Sequence, residues 1–165
     1  MPTPDPEFEQ FYSSSYPRLV VMLRAIGTRH DDVEAVAHDA FVLTFGKWSS
    51  VSRYENPHAY VRKVALGLVS NQRRKLRNTA KAWMRHGPTA ESTPAASGVG
   101  LDVRRTLLAL PFTMRVVLVM HYYLDLDLKQ IAAELDIPIG TVKSRLSRAK
   151  AQFIRQYQGD VDCVR

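Results

Sequence analysis

Between Gly87 and Gly100 the chain reads GPTAESTPAASGVG, a run of small residues, proline and glycine without one aromatic, leucine, isoleucine or methionine side chain. Such a stretch has nothing with which to anchor itself in a core, and structureless loops beyond about a dozen residues are uncommon inside compact domains. It predicts a flexible linker at 87–100, with one packed unit before it at 1–86, a second after it at 101–158, and a tail at 159–165. In a chain of 165 residues each unit can bury only a small core.

Both flanks carry apolar residues at helical rather than strand spacing. Val33, Val36, Ala37, Ala40, Phe41, Thr44 and Phe45 trace one buried stripe, and Val61, Val64, Ala65 and Leu68 trace another behind Asn56-Pro57, a dipeptide suited to a helix start. After the linker the pattern resumes from Leu101 through Leu107, Leu108, Leu110, Val116, Val117, Val119, Met120 and Tyr123, broken at Pro111. The fold class expected is all-α.

Charge separates the segments further. The chain carries a formal +7, and from His58 to His86 there are eight Lys or Arg residues and no Asp or Glu, whereas acids outnumber bases before Pro57. A basic middle behind an acidic front suggests nucleic acid on one surface and protein on another. The lone Cys163 excludes an internal disulfide, and the histidines show no metal spacing with it or with one another. The first residues have no signal-peptide form and no apolar run approaches the roughly 20 residues of a membrane span. A soluble cytoplasmic protein is expected, without cofactor or metal, and without a phosphate loop or nucleophile elbow that would mark an enzyme.

Asp127-Leu-Lys-Gln130 has the form of a capping box before Ile131, Ala132 and Leu135, and Asp136-Ile137-Pro138 stops that helix. A further helix from about Ile139 to Gln156 carries Val142, Leu146 and Ala149 on one side and Thr141, Lys143, Ser144, Arg145 and Arg148 elsewhere. Two short helices joined by a tight turn, the second bearing hydroxyls and cations, make a helix-turn-helix suited to a DNA major groove.

The run LLALPFTMRVVLVMHYYLDLDLKQIAAELDIPIGTVKSRLSRAK, Leu107 to Lys150, resembles the C-terminal domain of the extracytoplasmic-function, or group IV, sigma factors of the sigma-70 superfamily, of the actinobacterial SigE-like type. The resemblance implies that Thr141, Lys143, Ser144, Arg145 and Arg148 read the −35 promoter element. The family's turn usually carries glycine where this chain has Asp136. The front half, roughly Phe8 to Arg77, is similar to the family's other domain. There the resemblance implies that Glu34, His38, Asp39 and Phe41 meet the clamp helices of the polymerase's largest subunit. It also implies that Tyr54, Asn56, Tyr60, Arg62, Lys63, Asn71, Arg73 and Arg74 hold the melted −10 element, for which a cationic track with aromatic and polar surfaces is the right chemistry.

The function implied is that of a non-enzymatic initiation factor. Its partners would be core RNA polymerase (clamp helices and flap), promoter DNA and a candidate anti-sigma factor, with no membrane insertion. Two alternatives remain open at this point. A stand-alone helix-turn-helix regulator would bind a palindrome as a dimer. A metal-dependent nuclease would use Asp31, Asp32, Glu34 and Asp39, which do not converge on one helix.

Overall fold

The structure is a computed structural model that describes residues 5–83 and 99–162. Among the described residues it is helical without strands: α1 (Pro6–Ala25), α2 (His30–Phe45), α3 (Trp48–Val51), α4 (Pro57–Trp83), α5 (Val99–Ala109), α6 (Phe112–Tyr122), α7 (Leu128–Leu135) and α8 (Ile139–Asp162). The predicted linker lies outside the described residues except for Val99 and Gly100, which begin α5. The predicted tail is likewise helical as far as Asp162, and Cys163 and His86 lie outside.

The helix ends follow from local chemistry. The Asp5 side chain accepts from the Glu7 amide at 3.0 Å and opens α1. At its other end the Thr28 amide donates to the Leu23 carbonyl and the Gly27 amide to that of Arg24, a Schellman closure with Gly27 at φ +81°. The Asn56 side chain accepts from the Ala59 amide at 3.1 Å and Pro57 takes the first helical position of α4. Pro111 stands at the break between α5 and α6, as its missing amide demands.

The first half packs α1 and α4 against α2 around an aromatic cluster. Phe11 lies 4.9 Å from Trp48 and 5.7 Å from Phe41 between ring centroids, and Tyr12 meets Phe41 edge-on at 4.8 Å. Val33, Val36, Ala37, Ala40 and Phe41 are buried as the stripe predicts, but Phe45 is 47 % exposed, with its ring against Phe8 at 4.8 Å between centroids. In the second half α8 packs on α5, α6 and α7 around Val117, Met120, Ile131 and Val142, all buried. The stripe there ends sooner than its spacing suggests, for Tyr123 is exposed.

The halves do not stand apart. α1 touches α5 and α6, and α4 touches α7, so that their buried residues form one continuous hydrophobic cluster. Arg115 of α6 is buried and donates to the Ile26 carbonyl of the first half at 2.7 Å and to the Leu108 and Leu110 carbonyls at 2.9 Å each. A Cβ on Gly27 would collide with that guanidinium and come within 2.7 Å of Leu108 Cδ2.

Two glycine substitutions should therefore move stability in opposite directions. Gly27→Ala meets both the collision and a left-handed backbone, so it should cost about 1–3 kcal/mol, a fall of several degrees in Tm. Gly67→Ala, inside α4 with nothing within 4 Å of the added methyl, should stabilise by about 0.5–1 kcal/mol. Thermal denaturation followed by circular dichroism checks both.

Candidate nucleic-acid interface

The second half contains the predicted helix-turn-helix. Asp127 accepts from the Gln130 amide at 2.8 Å while Gln130 Oε1 accepts from the Asp127 amide at 2.9 Å, a complete capping box at the start of α7. The turn is made by Asp136 in the left-handed region, φ 55° and ψ 47°, with the Ile137 amide donating to the Ala132 carbonyl at 3.1 Å. Asp is among the few residues that visit this region readily, so Asp136 can hold the turn without a glycine. The preceding turn is fixed by His121, whose Nδ1 donates to the Leu126 carbonyl at 2.9 Å.

Along α8, Val142 and Ala149 are buried, Lys143, Arg148 and Lys150 are exposed, and Thr141, Ser144, Arg145 and Leu146 are half-buried. The Ser144 hydroxyl donates back to the Thr141 carbonyl at 3.1 Å, and Arg148 Nε donates to the Ser144 carbonyl at 3.2 Å. The exposed cations Lys143, Arg148 and Lys150 thus stand on the outer face of the helix, which starts at its N-terminal end with Ile139. Ile139 is 39 % exposed at that end.

Helix α4 resolves into three rows of residues, each advancing by three or four positions. Val61, Ala65 and Val69 are buried in the first-half core. Lys63, Gly67, Asn71 and Arg74 are exposed, with Arg74 donating to Asn71 Oδ1 at 3.2 Å. Arg62, Leu66, Ser70 and Arg73 form the third row, which faces the second half. Arg62 makes a bidentate ion pair with Glu134 of α7, its Nε 2.9 Å from Oε2, and the two side chains are 13 % and 5 % exposed. Arg73 lies over the Phe112 ring at 4.4 Å. Leu66 and Ser70 share a cavity of about 150 Å³ with Phe112, Val116, Leu135, Ile137 and Arg145.

Several site residues expected from sequence are thereby relocated. Phe41 is 2 % exposed at the centre of the aromatic cluster and is out of reach of any partner, since its ring is what α1 packs against. Glu34, His38 and Asp39 are exposed on α2, and the structure adds Ala35, Val42 and Leu43 to that surface, the last two 54 % and 51 % exposed. A buried-stripe pattern assigns apolar side chains to the interior and so gives no sign of Val42 and Leu43 on the surface. Tyr60 packs against the core, with Tyr54 edge-on to it at 5.8 Å and 49 % exposed, and Asn56 spends its carbonyl oxygen on the helix cap. Of the eight expected −10 residues, Tyr54, Asn56, Lys63, Asn71 and Arg74 are exposed, while Arg62 and Arg73 turn into the joint between halves. Glu134, Phe112 and Arg115, which complete that joint, were missed.

The joint is electrostatically unusual. Burial lowers the pKa of Arg115 to about 10, with the nearby positive charge of Arg73 adding to the effect, so Arg115 stays a cation at neutral pH without an acidic partner among its hydrogen bonds. Arg73 is lowered too, by burial and then by Arg77. His58 shares a 2.6 Å hydrogen bond with the buried hydroxyl of Ser15 and lines a cleft of about 400 Å³ with Arg18, Arg62 and Asp125. Its pKa is lowered by burial, then by Arg62 and Arg18. Among the described residues no cluster of His, Cys, Asp or Glu could hold a metal, and no helix is long and apolar enough to cross a membrane.

Comparison with known proteins agrees with this geometry. The family described as Sigma-70, region 4, matches residues 100–153. The RNA polymerase sigma-E factor of Streptomyces coelicolor is 25 % identical over 89 % of this chain and 84 % of its own length. The ECF RNA polymerase sigma factor SigW of Bacillus subtilis is 28 % identical over 81 % of this chain and 79 % of its own. Among solved structures, the sigma factor RpoE of Bartonella quintana, in complex with the anti-sigma factor NepR, superposes with a TM-score of 0.79 at 21 % identity, covering 92 % of this chain and 97 % of that one. CnrH, in complex with the cytosolic domain of CnrY, does so with a TM-score of 0.66 at 22 % identity over 93 % and 88 %.

The environment of His58 sets a pH dependence. Its native pKa lies below the ordinary value of about 6.5, so between the two the unfolded chain binds the proton and the native one does not. The contribution to stability is complete above that ordinary value and is lost as pH falls through it. Thermal melts from about pH 7.5 down to about pH 5.5 should show Tm falling, and falling less in His58→Gln.

Proposed function

We propose, for a chain that belongs to the extracytoplasmic-function sigma factors of the sigma-70 superfamily, a division of labour between two helical halves at 1–86 and 101–158. Its function is to direct RNA polymerase to specific promoters. Within that function the first half holds the polymerase and opens the −10 region, and the second grips the −35 element. The reading rests above all on one observation, the capped helix-turn-helix of α7 and α8 with Lys143 and Arg148 on its outer face, inside the segment 100–153 that matches Sigma-70, region 4.

Physical chemistry supports each assignment. Ala35, His38, Asp39 and Val42 follow the i, i+3, i+4, i+7 spacing of one open face of α2, and Leu43 adjoins it. An exposed apolar patch rimmed by acids suits a helical partner carrying basic residues, as the clamp helices of the largest subunit would be. The exposed row Lys63, Gly67, Asn71 and Arg74 suits a single strand, because cations follow its phosphates and the absence of a side chain at Gly67 lets a backbone approach closely. On α8, hydroxyls and cations near the helix start suit phosphates and base edges of a major groove.

The protein acts as a specificity factor and not as a catalyst, and its place is the cytoplasm, at the nucleoid. The Bartonella RpoE structure contains an anti-sigma factor, and a partner of that kind is proposed here as well.

The decisive experiment mixes the purified chain with sigma-free core polymerase and sequences the transcripts. Start sites confined to promoters sharing two spaced elements are expected. Tight duplex binding by the chain alone, without core binding or transcripts, would instead indicate a dimeric regulator. Arg145→Ala should lower transcription from a cognate promoter about tenfold at limiting protein, with the deficit following the −35 element, in line with the loss of about 1–3 kcal/mol for a lost base contact. Leu43→Asp should weaken core binding by about tenfold or more without lowering Tm, since its side chain stands in solvent.

A further inference from the structure

We propose that the cleft between α1, the start of α4 and the α6–α7 turn is a nucleotide site, with the base on Tyr123, the ribose on Asp125 and the phosphates between Arg18, Arg62 and His58. The inference goes beyond the function proposed above and assigns this chain a small ligand of its own.

The cleft has the size and the chemistry. Its volume of about 400 Å³ falls in the range of about 300–1,000 Å³ in which small ligands are held. The wall formed by the first half is cationic. Glu134 fixes Arg62 through Nε and Nη2, which leaves both hydrogens of Nη1 unspent among the described residues. Arg18 is exposed, and among those residues no ion pair holds it. His58 stands in the first turn of α4, where the helix end adds positive potential of its own. The buried Ser15 hydroxyl lies 2.6 Å from its Nδ1. With that hydroxyl donating, the neutral ring carries its proton on Nε2 and offers it to a phosphate oxygen. Two guanidiniums and an imidazole on one wall suit a phosphate chain. The lowered pKa of His58, due to burial and then to Arg62 and Arg18, reports the repulsion that an anion seated there would relieve.

The opposite wall has a different character. Tyr123 is 45 % exposed and offers an aromatic surface of the kind on which a base stacks. Two residues on, Asp125 is the only carboxylate that lines the cleft among the described residues, and a left-handed backbone at φ 55° sets it there. Bare phosphate or an acidic peptide would suit the cations but be repelled by Asp125. A ribose has a use for it, since vicinal hydroxyls donate to a carboxylate. The order aromatic, acid, cations is the order base, ribose, phosphate.

The test is calorimetric titration of the full chain with ADP, because stacking on a ring face does not choose between bases. One ADP per chain should bind, at least about tenfold more tightly than adenosine or pyrophosphate, each of which makes half of the contacts. Arg18→Ala should weaken ADP and pyrophosphate alike, by about tenfold, and ADP should raise the Tm of the unaltered chain but not of this variant. Tyr123→Ala should weaken ADP about tenfold and leave pyrophosphate unchanged. Asp125→Asn, which tolerates the same backbone, should weaken ADP and leave 2′,3′-dideoxyadenosine diphosphate unaffected. Lys129→Ala removes an exposed cation elsewhere in the second half and should change nothing.

The proposal is overturned if ADP does not bind, or if pyrophosphate binds as tightly, which would make the cleft a site for bare phosphate. It is equally overturned if Lys129→Ala, or Lys63→Ala with Arg74→Ala, loses as much as Arg18→Ala, since ADP would then be held by general charge or by the outer row of α4. Binding of hexaglutamate with ADP inert would give the cleft to an acidic segment of a protein partner instead. None of these readouts involves polymerase or promoter DNA, so they stand apart from the test of the sigma-factor function.

Discussion

The packing of the two halves against each other depends on a buried arginine. Arg115 sits in α6 between apolar neighbours, and its guanidinium carries its positive charge to three backbone carbonyls, one from the turn after α1 and two from the end of α5. Carbonyls that close a helix or a turn are orphaned acceptors that need a donor. A planar guanidinium holds its donors in fixed directions on two nitrogens, so it reaches carbonyls on different segments at once, where a lysine would offer all its donors from a single nitrogen. Desolvation is costly, as the lowered pKa of Arg115 and its unpartnered Nε show. The return is positional: the α5–α6 corner is tied to the α1–α2 turn, and only glycine at position 27 leaves room for it.

With that corner fixed, the orientation of everything after it is constrained. α6 lies against α1, α7 lands on α4, and Glu134 comes to rest beside Arg62. A buried ion pair of this kind is weak support for net stability, since two desolvated charges consume most of what they gain from each other, but breaking it by removing one partner typically costs about 3–5 kcal/mol. Its value lies in specifying which surfaces meet. The same row of α4 that would otherwise present cations to solvent is the one that fits, because Leu66 supplies the apolar contact between two arginines spaced along the helix.

How much of this was legible in the sequence divides along physical lines. Helix identity, the break at Pro111, the capping box at Asp127 and the core stripe Val33, Val36, Ala37 and Ala40 were all readable, because each is a local signal: a period, a missing amide, a reciprocal cap. The chemistry of the site was readable in kind, cations and hydroxyls on α8 and a basic α4. Its distribution over faces was not. Arg62 and Lys63 are neighbours in sequence and look alike, yet one is buried against a carboxylate and the other is exposed. Phe41 looked like a site residue through resemblance, and its ring belongs to the core. Arg115 had a faint signal, a single formal charge within FTMRVVLVMHY, but that pattern does not say which carbonyls wait for it.

The tertiary joint could not be read at all, because it pairs residues 72 and 89 positions apart through no repeating pattern. Local signals say how each helix forms and which stripe it buries; they do not say that a second stripe exists. α4 has two, one for the core of its own half and one for the other half, and a hydrophobic period detects only the first because the second begins and ends in arginine. A stripe of mixed cations and one leucine reads as surface from sequence. It becomes an interface only when a carboxylate and an aromatic ring are brought to it, and what brings them is the buried guanidinium one element away.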